Sequence, residues 1–192
     1  MTHALPFTWP YALPFWTVFV WAFAPEFAVV RKAARSKTDA GSTRVIAVGN
    51  QLAMFLGFAA PWVFHRAAMP FSVAMFWIGT ALLVGGSLLR RHCFRILGKF
   101  FNGAVTVQSD HTVIDRGAYR WVRHPSYTGG IAMFMGIGVA LGNWVSVAVL
   151  TLMPMCAYAY RVRVEERALL ESLGEPYRAF MQTRKRFVPF VV

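Results

Sequence analysis

The sequence predicts an all-α integral membrane protein of about five spanning helices, the last two forming a helical hairpin. Three observations predict it. Hydrophobic residues make up 57% of the 192 positions, with a mean hydropathy of +0.46, which is more apolar than an ordinary soluble domain. The charged residues are gathered in blocks between long apolar runs. Finally, the basic residues alternate in density from one inter-block segment to the next, as they do when a chain is threaded back and forth across a bilayer.

A hydrocarbon core of about 30 Å needs about 20 mostly apolar residues per helix. Residues 11–30, 45–64 and 71–89 meet that length, separated by RKAARSKTDAGSTR (31–44) and the short HRAAMP (65–70). A polar-containing stretch follows from Arg90 to Tyr127. Residues 128–160 are too long for one span and are interrupted at Leu141-Gly142-Asn143-Trp144, so they read as two helices, 128–142 and 143–160, joined by a tight turn. Beyond Tyr160 the chain is polar except for its final FVPFVV, and Gly174 and Pro176 divide the tail helix into two pieces. The opening MTHALPFTWPY has no basic region or small-residue cleavage site, so the first apolar block is expected to remain in the mature protein.

Lys and Arg set the orientation. The 31–44 segment, the 90–127 segment and the tail together hold 19 of the 20, and Arg66 alone falls on the other side. Basic residues in short loops stay in the cytoplasm. Five spans with the N-terminus outside and the C-terminus cytoplasmic account for the whole distribution, whereas an even number would place the tail's seven basic residues outside.

The net charge of +12 does not point to nucleic acid, because such binders carry their basic residues on a soluble scaffold. Cys93 and Cys156 lie far apart, with no spacing that indicates a disulfide framework or a metal site. Trp62, Trp77, Trp144 and the FTWPYALPFW cluster read as interfacial aromatics. Gly79, Gly85, Gly86, Gly136 and Gly138 read as positions of close helix contact. Glu26, the one carboxylate within an apolar block, is expected to snorkel toward the interface and pair with Arg31 or Lys32.

Two segments have a chemical character that anchoring does not require: HTVIDRGAYRWVRHPSYTGG (111–130) and YRVRVEERALLESLGEPYRAFMQTRKRFVPF (160–190). They set His, Tyr, Arg and paired carboxylates beside the ends of membrane helices. RHPSYTGG, the upstream HTVIDRGAYR, the hairpin with its GN turn and the EERALLESLGEPYRAF tail together resemble the isoprenylcysteine carboxyl methyltransferase family, whose wider kin include membrane phospholipid N-methyltransferases. The resemblance runs in order from about Phe100 to Pro189.

That resemblance implies a single membrane methyltransferase domain over 1–192, with S-adenosyl-L-methionine held between the RHPSY segment and the C-terminal helix by segments 100–127 and 161–190. By matching position, cofactor contacts fall to His111, Thr112, Val113, Ile114, Tyr119, His124, Pro125, Ser126 and Tyr127. Arg161 matches the arginine assigned to substrate, and Glu165 or Glu166 the acidic cofactor contact. The family often has a glutamine upstream of the HTV stretch; Thr106 stands nearest here, with Gln108 two residues later. The acceptor implied is lipophilic, the carboxylate of a prenylated cysteine or a similar lipid acid, entering from the bilayer toward the cytoplasmic face.

The chemistry is compatible. A sulfonium donor is already activated, so the protein mainly aligns the reacting atoms and excludes water. A carboxylate acceptor is ionised at neutral pH without a general base, and a guanidinium holds it at two points. Each position also has a plainer reading. Arg161 and Glu165 have the spacing of a surface ion pair, His124-Pro125 that of a helix start. Tyr127 reads as a belt residue, and Arg120, Arg123 and Arg184 to Arg186 as lipid-facing charges. The alternatives to carboxyl methylation are N-methylation of phosphatidylethanolamine, which needs a base such as His124, and a non-catalytic membrane scaffold. A nicotinamide cofactor, as in sterol-reductase-like proteins, finds no GxGxxG after a strand.

Overall fold

A computed structural model describes residues 4–33, 41–101 and 112–187, without the side chains of 27–33. Among these residues the regular structure is helical: α1 (Ala12–Ala33), α2 (Ser42–Val63), α3 (Ser72–Leu97), α4 (Pro125–Ala140), α5 (Trp144–Leu173) and α6 (Glu175–Thr183), with four short 3-10 turns. Among the described residues, the extended pairings are two isolated bridges, Ala68 with Asn143 and Val122 with Lys185. Among the described residues, three helices are long and apolar enough to cross a membrane: α2, α3 with the turn that follows it, and α5. The remaining expected spans correspond to α1, of 22 residues, and α4, of 16.

Three expected boundaries move, each for a physical reason. The helix expected to end at Leu89 continues to Leu97, because Arg90 is buried on polar partners instead of marking the start of a solvated loop. α4 begins at Pro125, whose fixed φ and missing N–H suit a first turn. The helix expected to end at Tyr160 runs unbroken to Leu173, since RVRVEERALLESL holds no Gly or Pro and is rich in helix formers. At about 1.5 Å per residue the 30 residues of α5 span about 45 Å.

The turn between α4 and α5 is built as its sequence implies. Gly142 takes the left-handed conformation with φ of 65°. Asn143 then caps α5, its Oδ1 accepting from the amides of Val145 at 3.0 Å and Ser146 at 3.2 Å. The Asn143 side chain also donates to the Phe64 carbonyl at 2.9 Å, and the Met69 amide donates to Gly142 O at 2.7 Å. The α2–α3 linker is thus stitched to the hairpin. Trp62, Trp77 and Trp144 are exposed at this same end of the bundle.

Small residues set the spacing of α3 against α4. A Cβ on Gly86 would stand 2.5 Å from the Gly129 carbonyl oxygen, and one on Gly136 2.6 Å from that of Gly79, so neither pair of backbones leaves room for a methyl group. Gly138 packs in the same way on Val147 of α5. Gly85 departs from the expectation, since a Cβ there meets nothing within 4 Å. Around these contacts Phe15, Phe76, Leu83, Met133, Ile137 and Leu150 are fully buried. Val48, Leu52, Phe55, Leu88 and Leu152 point outward, the apolar exterior a bilayer would cover.

Candidate functional site

At the end of the bundle where α3 and α5 finish and α4 begins lies a cavity of about 550 Å³, within the roughly 300–1,000 Å³ of small-molecule sites. Its two ends differ. One is apolar and lined by Phe19 and Phe23 of α1, Met54 of α2 and Met133 and Phe134 of α4. The other is polar, with Arg123, His124, Tyr127, Arg161 and Glu165 facing Thr112, Val113, Ile114 and Tyr119. Leu169, Leu173, Tyr177 and Phe180 also line it, the last two being the buried residues of α6.

Arg161 is 3% exposed, which removes the plain reading of a surface pair with Glu165. Its Nη1 donates to the Ser42 hydroxyl at 2.6 Å and the Thr43 hydroxyl at 3.2 Å, and its Nε to the Tyr127 oxygen at 3.3 Å. The Tyr127 hydroxyl in turn donates to Glu165 Oε2 at 2.8 Å. Tyr127 therefore stands between the cation and the carboxylate, and the belt reading gives way to a role inside the cavity.

Glu166, one residue on, has a different environment. It is 4% exposed and does not line the cavity. Its Oε1 meets Arg123 Nη2 at 3.0 Å and His124 Nε2 at 3.2 Å, while its Oε2 accepts from Arg186 Nη2 at 2.9 Å. Arg123 also donates to the carbonyls of Met181 at 2.7 Å and Arg184 at 2.9 Å. The Arg123 and His124 amides donate to Lys185 O and Arg186 O, and the Thr128 hydroxyl to Phe187 O. Glu166 is thus a hub that fastens the start of α4 to the segment after α6. Arg123, Arg184 and Arg186, read from sequence as facing lipid, are corrected accordingly: two converge on Glu166, and Arg184 pairs with Asp115 at 3.2 Å.

Of the residues assigned by resemblance, Thr112, Val113, Ile114, Tyr119, His124, Ser126, Tyr127, Arg161 and Glu165 line one cavity. Pro125 is buried behind it as the first residue of α4. His111, Thr106 and Gln108 lie outside the described residues. Burial, with Cys93 and Glu165 nearby, pushes the Tyr119 phenol well above its usual range. Burial, then the charges of Glu166 and Glu165, does the same to Tyr177. Both phenols stay protonated at neutral pH and act as hydrogen-bond groups, not as bases.

Sequence reasoning missed one wall. Glu26 accepts from Arg90 Nε at 2.6 Å and Nη2 at 2.5 Å, with Arg90 Nη1 donating to Ser126 O at 2.9 Å; the side chains of Arg31 and Lys32, its expected partners, lie outside the described residues. Asn50 and Gln51 of α2 also line the cavity, Asn50 donating to the Tyr158 oxygen at 3.3 Å. Their signal was an adjacent pair of amides within an apolar block, a rare expense in a membrane helix.

Residues 77–171 match the model of the isoprenylcysteine carboxyl methyltransferase family. Over that segment the chain is similar to the family. It is 31% identical over 116 residues to a protein-S-isoprenylcysteine O-methyltransferase of Tribolium castaneum, covering 59% of this chain and 41% of the relative. A protein of the same name from Dictyostelium discoideum is 26% identical over 134 residues, covering 69% and 56%. The chain thus spans about half the length of the curated relatives it matches. In fold it is similar to the eukaryotic intramembrane Ras methyltransferase ICMT, with a TM-score of 0.66 at 21% identity over 97% of this chain and 70% of that one. The family segment contains Arg90, the whole of α4 and α5 as far as Glu171. α1, α2 and α6, which complete the cavity, lie outside it.

Proposed function

We propose that the protein is an S-adenosylmethionine-dependent methyltransferase that esterifies the carboxylate of a lipophilic acceptor, a prenylated cysteine or a similar lipid acid. The observation that carries the reading is the two-ended cavity. A lipid chain prefers the apolar end, among residues of membrane helices, and a charged head group prefers the end bearing Arg161. The family match supports methyl transfer as the reaction.

The polar end suits the donor. Glu165 supplies a carboxylate to the cationic part of S-adenosylmethionine, and Tyr177 and Phe180 supply rings for its flat part, in a space large enough to hold it. When bound, the donor supplies a methyl group already activated on a sulfonium. The residues of this chain do the rest by positioning. Arg161, steadied by Ser42, Thr43 and Tyr127, orients the acceptor carboxylate. Tyr127 holds Glu165 in place. Leu169, Leu173, Tyr177 and Phe180 add apolar and aromatic surface beside the polar end, which lowers its hydration. A carboxylate nucleophile needs no proton removed, in keeping with the engagement of His124 by Glu166.

In this reading one domain occupies 1–192 and crosses the bilayer five times, α1 and α4 joining α2, α3 and α5. The basic segments, and with them the polar end of the cavity, face the cytoplasm. The acceptor arrives laterally from the bilayer among membrane lipids, and nucleic acid has no part. The test is transfer of tritiated methyl from S-adenosylmethionine to N-acetyl-S-farnesylcysteine beside phosphatidylethanolamine. Base-labile label on the former is expected; base-stable label confined to lipid head groups refutes the reading, and no saturable binding of S-adenosylmethionine refutes methyl transfer.

A further inference from the structure

Among the described residues, two guanidinium groups besides Arg123 line the cavity, Arg161 and Arg90, and an acidic acceptor is attracted by any arginine left exposed there. Arg90 is 7% exposed, and each of its three nitrogens has a partner. Nε and Nη2 grip the two oxygens of Glu26, while Nη1 donates to the Ser126 carbonyl at 2.9 Å and lies 3.3 Å from its hydroxyl. Glu26 comes from α1, outside the family segment. Its carboxylate also lines the cavity, so the charge it cancels would otherwise be felt there. Ser126 sits in the first turn of α4, between His124 and Tyr127, and Gly129 packs on the Arg90 stem.

We propose that Glu26 is a specificity and positioning residue. It occupies Arg90, so that an acidic acceptor is directed to Arg161, and it holds Arg90 on the turn that carries Tyr127. The inference rests on the carboxyl-methylation reading and adds to it a determinant from a helix the family segment does not include. Without the Glu26 charge, the Arg90 fork becomes a second carboxylate site, placed by a different wall of the cavity. An acid bound there is held away from Arg161. The acceptor then binds more tightly and reacts more slowly, the split expected when binding is gained only in the ground state.

The experiment compares full-length wild type, E26Q, R90Q and the E26Q/R90Q double variant in one detergent. Calorimetric affinity is measured for N-acetyl-S-farnesylcysteine and for its uncharged carboxamide, with kcat and KM for the acid. E26Q is expected to raise the preference for acid over amide about tenfold and to lower kcat about tenfold with KM unchanged or reduced. R90Q, which leaves Glu26 uncancelled, is expected to lower that preference; the double variant, neutral again, returns it to the wild-type value. An acid preference that is the same in E26Q and wild type overturns the proposal, as does a double variant that keeps the E26Q preference. Should E26Q not fold, R90Q and the double variant read the same effect with opposite sign. The affinities need no turnover, so a wild type that forms no ester refutes the methylation reading and leaves this comparison standing.

Discussion

Replacing Glu166 by Gln separates the two adjacent glutamates by what each of them holds. The Glu166 carboxylate is buried and meets Arg123, His124 and Arg186 within 3.2 Å. Removing one partner of a buried ion pair costs about 3–5 kcal/mol, because the remaining charge is left uncompensated. The amide of Gln keeps one acceptor oxygen, and Arg123 retains the carbonyls of Met181 and Arg184, so the lower end, about 3 kcal/mol, is expected. At about 2–4 °C per kcal/mol for a domain of this size, Tm falls by about 6–12 °C. Glu165 faces the cavity and accepts from Tyr127. For Glu165→Gln the expected loss of stability is below about 1.5 kcal/mol, with methyl transfer reduced about tenfold or more. Thermal unfolding of both variants in one detergent, beside calorimetric binding of S-adenosylmethionine, makes the measurement. An E166Q protein with wild-type Tm and abolished donor binding refutes the assignment of Glu166 as a structural hub.

Gly86→Ala drives a methyl group against the Gly129 carbonyl and is expected to cost about 1–3 kcal/mol; Gly85→Ala, which meets nothing, is expected to be neutral or slightly stabilising, and equal effects would refute the account of α3–α4 packing. Tyr127→Phe removes the hydroxyl linking Arg161 to Glu165 and is expected to cut kcat/KM about tenfold while lowering stability by no more than about 1.5 kcal/mol, read by steady-state kinetics and thermal unfolding. Asn143→Ala loses both the α5 cap and the bond to Phe64 O and is expected to cost about 1–2 kcal/mol, measured as a fall in Tm with acceptor KM unchanged.

The apolar blocks were legible because membrane helices are set by a length and a solvent, both of which are written locally. The hairpin turn was legible for the same reason: Gly142 and Asn143 do their work within three residues of their own positions. The convergence of Tyr127, Arg161 and Glu165 followed from motif resemblance and not from any local rule. What sequence could not supply was pairing at long separation. Glu26 finds Arg90 across 64 residues, and nothing near Glu26 distinguishes that partner from Arg31. Arg123 and Arg186 carry the same charge as any lipid-facing arginine, and only the folded tail puts a buried carboxylate between them. Asn50 and Gln51 left a signal in their composition, but its meaning depended on which face of α2 turned toward the cavity.

The stitching of residues 185–187 onto 123–128 has a consequence for biogenesis. His124 and Arg123 leave the ribosome about 60 residues before the carbonyls that receive their amides, an interval of about 3–12 s at about 5–20 residues per second. Throughout it the start of α4 has neither its backbone partners nor the Arg186 side of the Glu166 cluster. The helices of the bundle can pair during that time through their glycine faces, but the pocket they surround is completed only afterwards. A nascent chain halted short of Lys185 therefore lacks the contacts that fasten the start of α4, and the packing of the helices and the completion of the pocket are separate events.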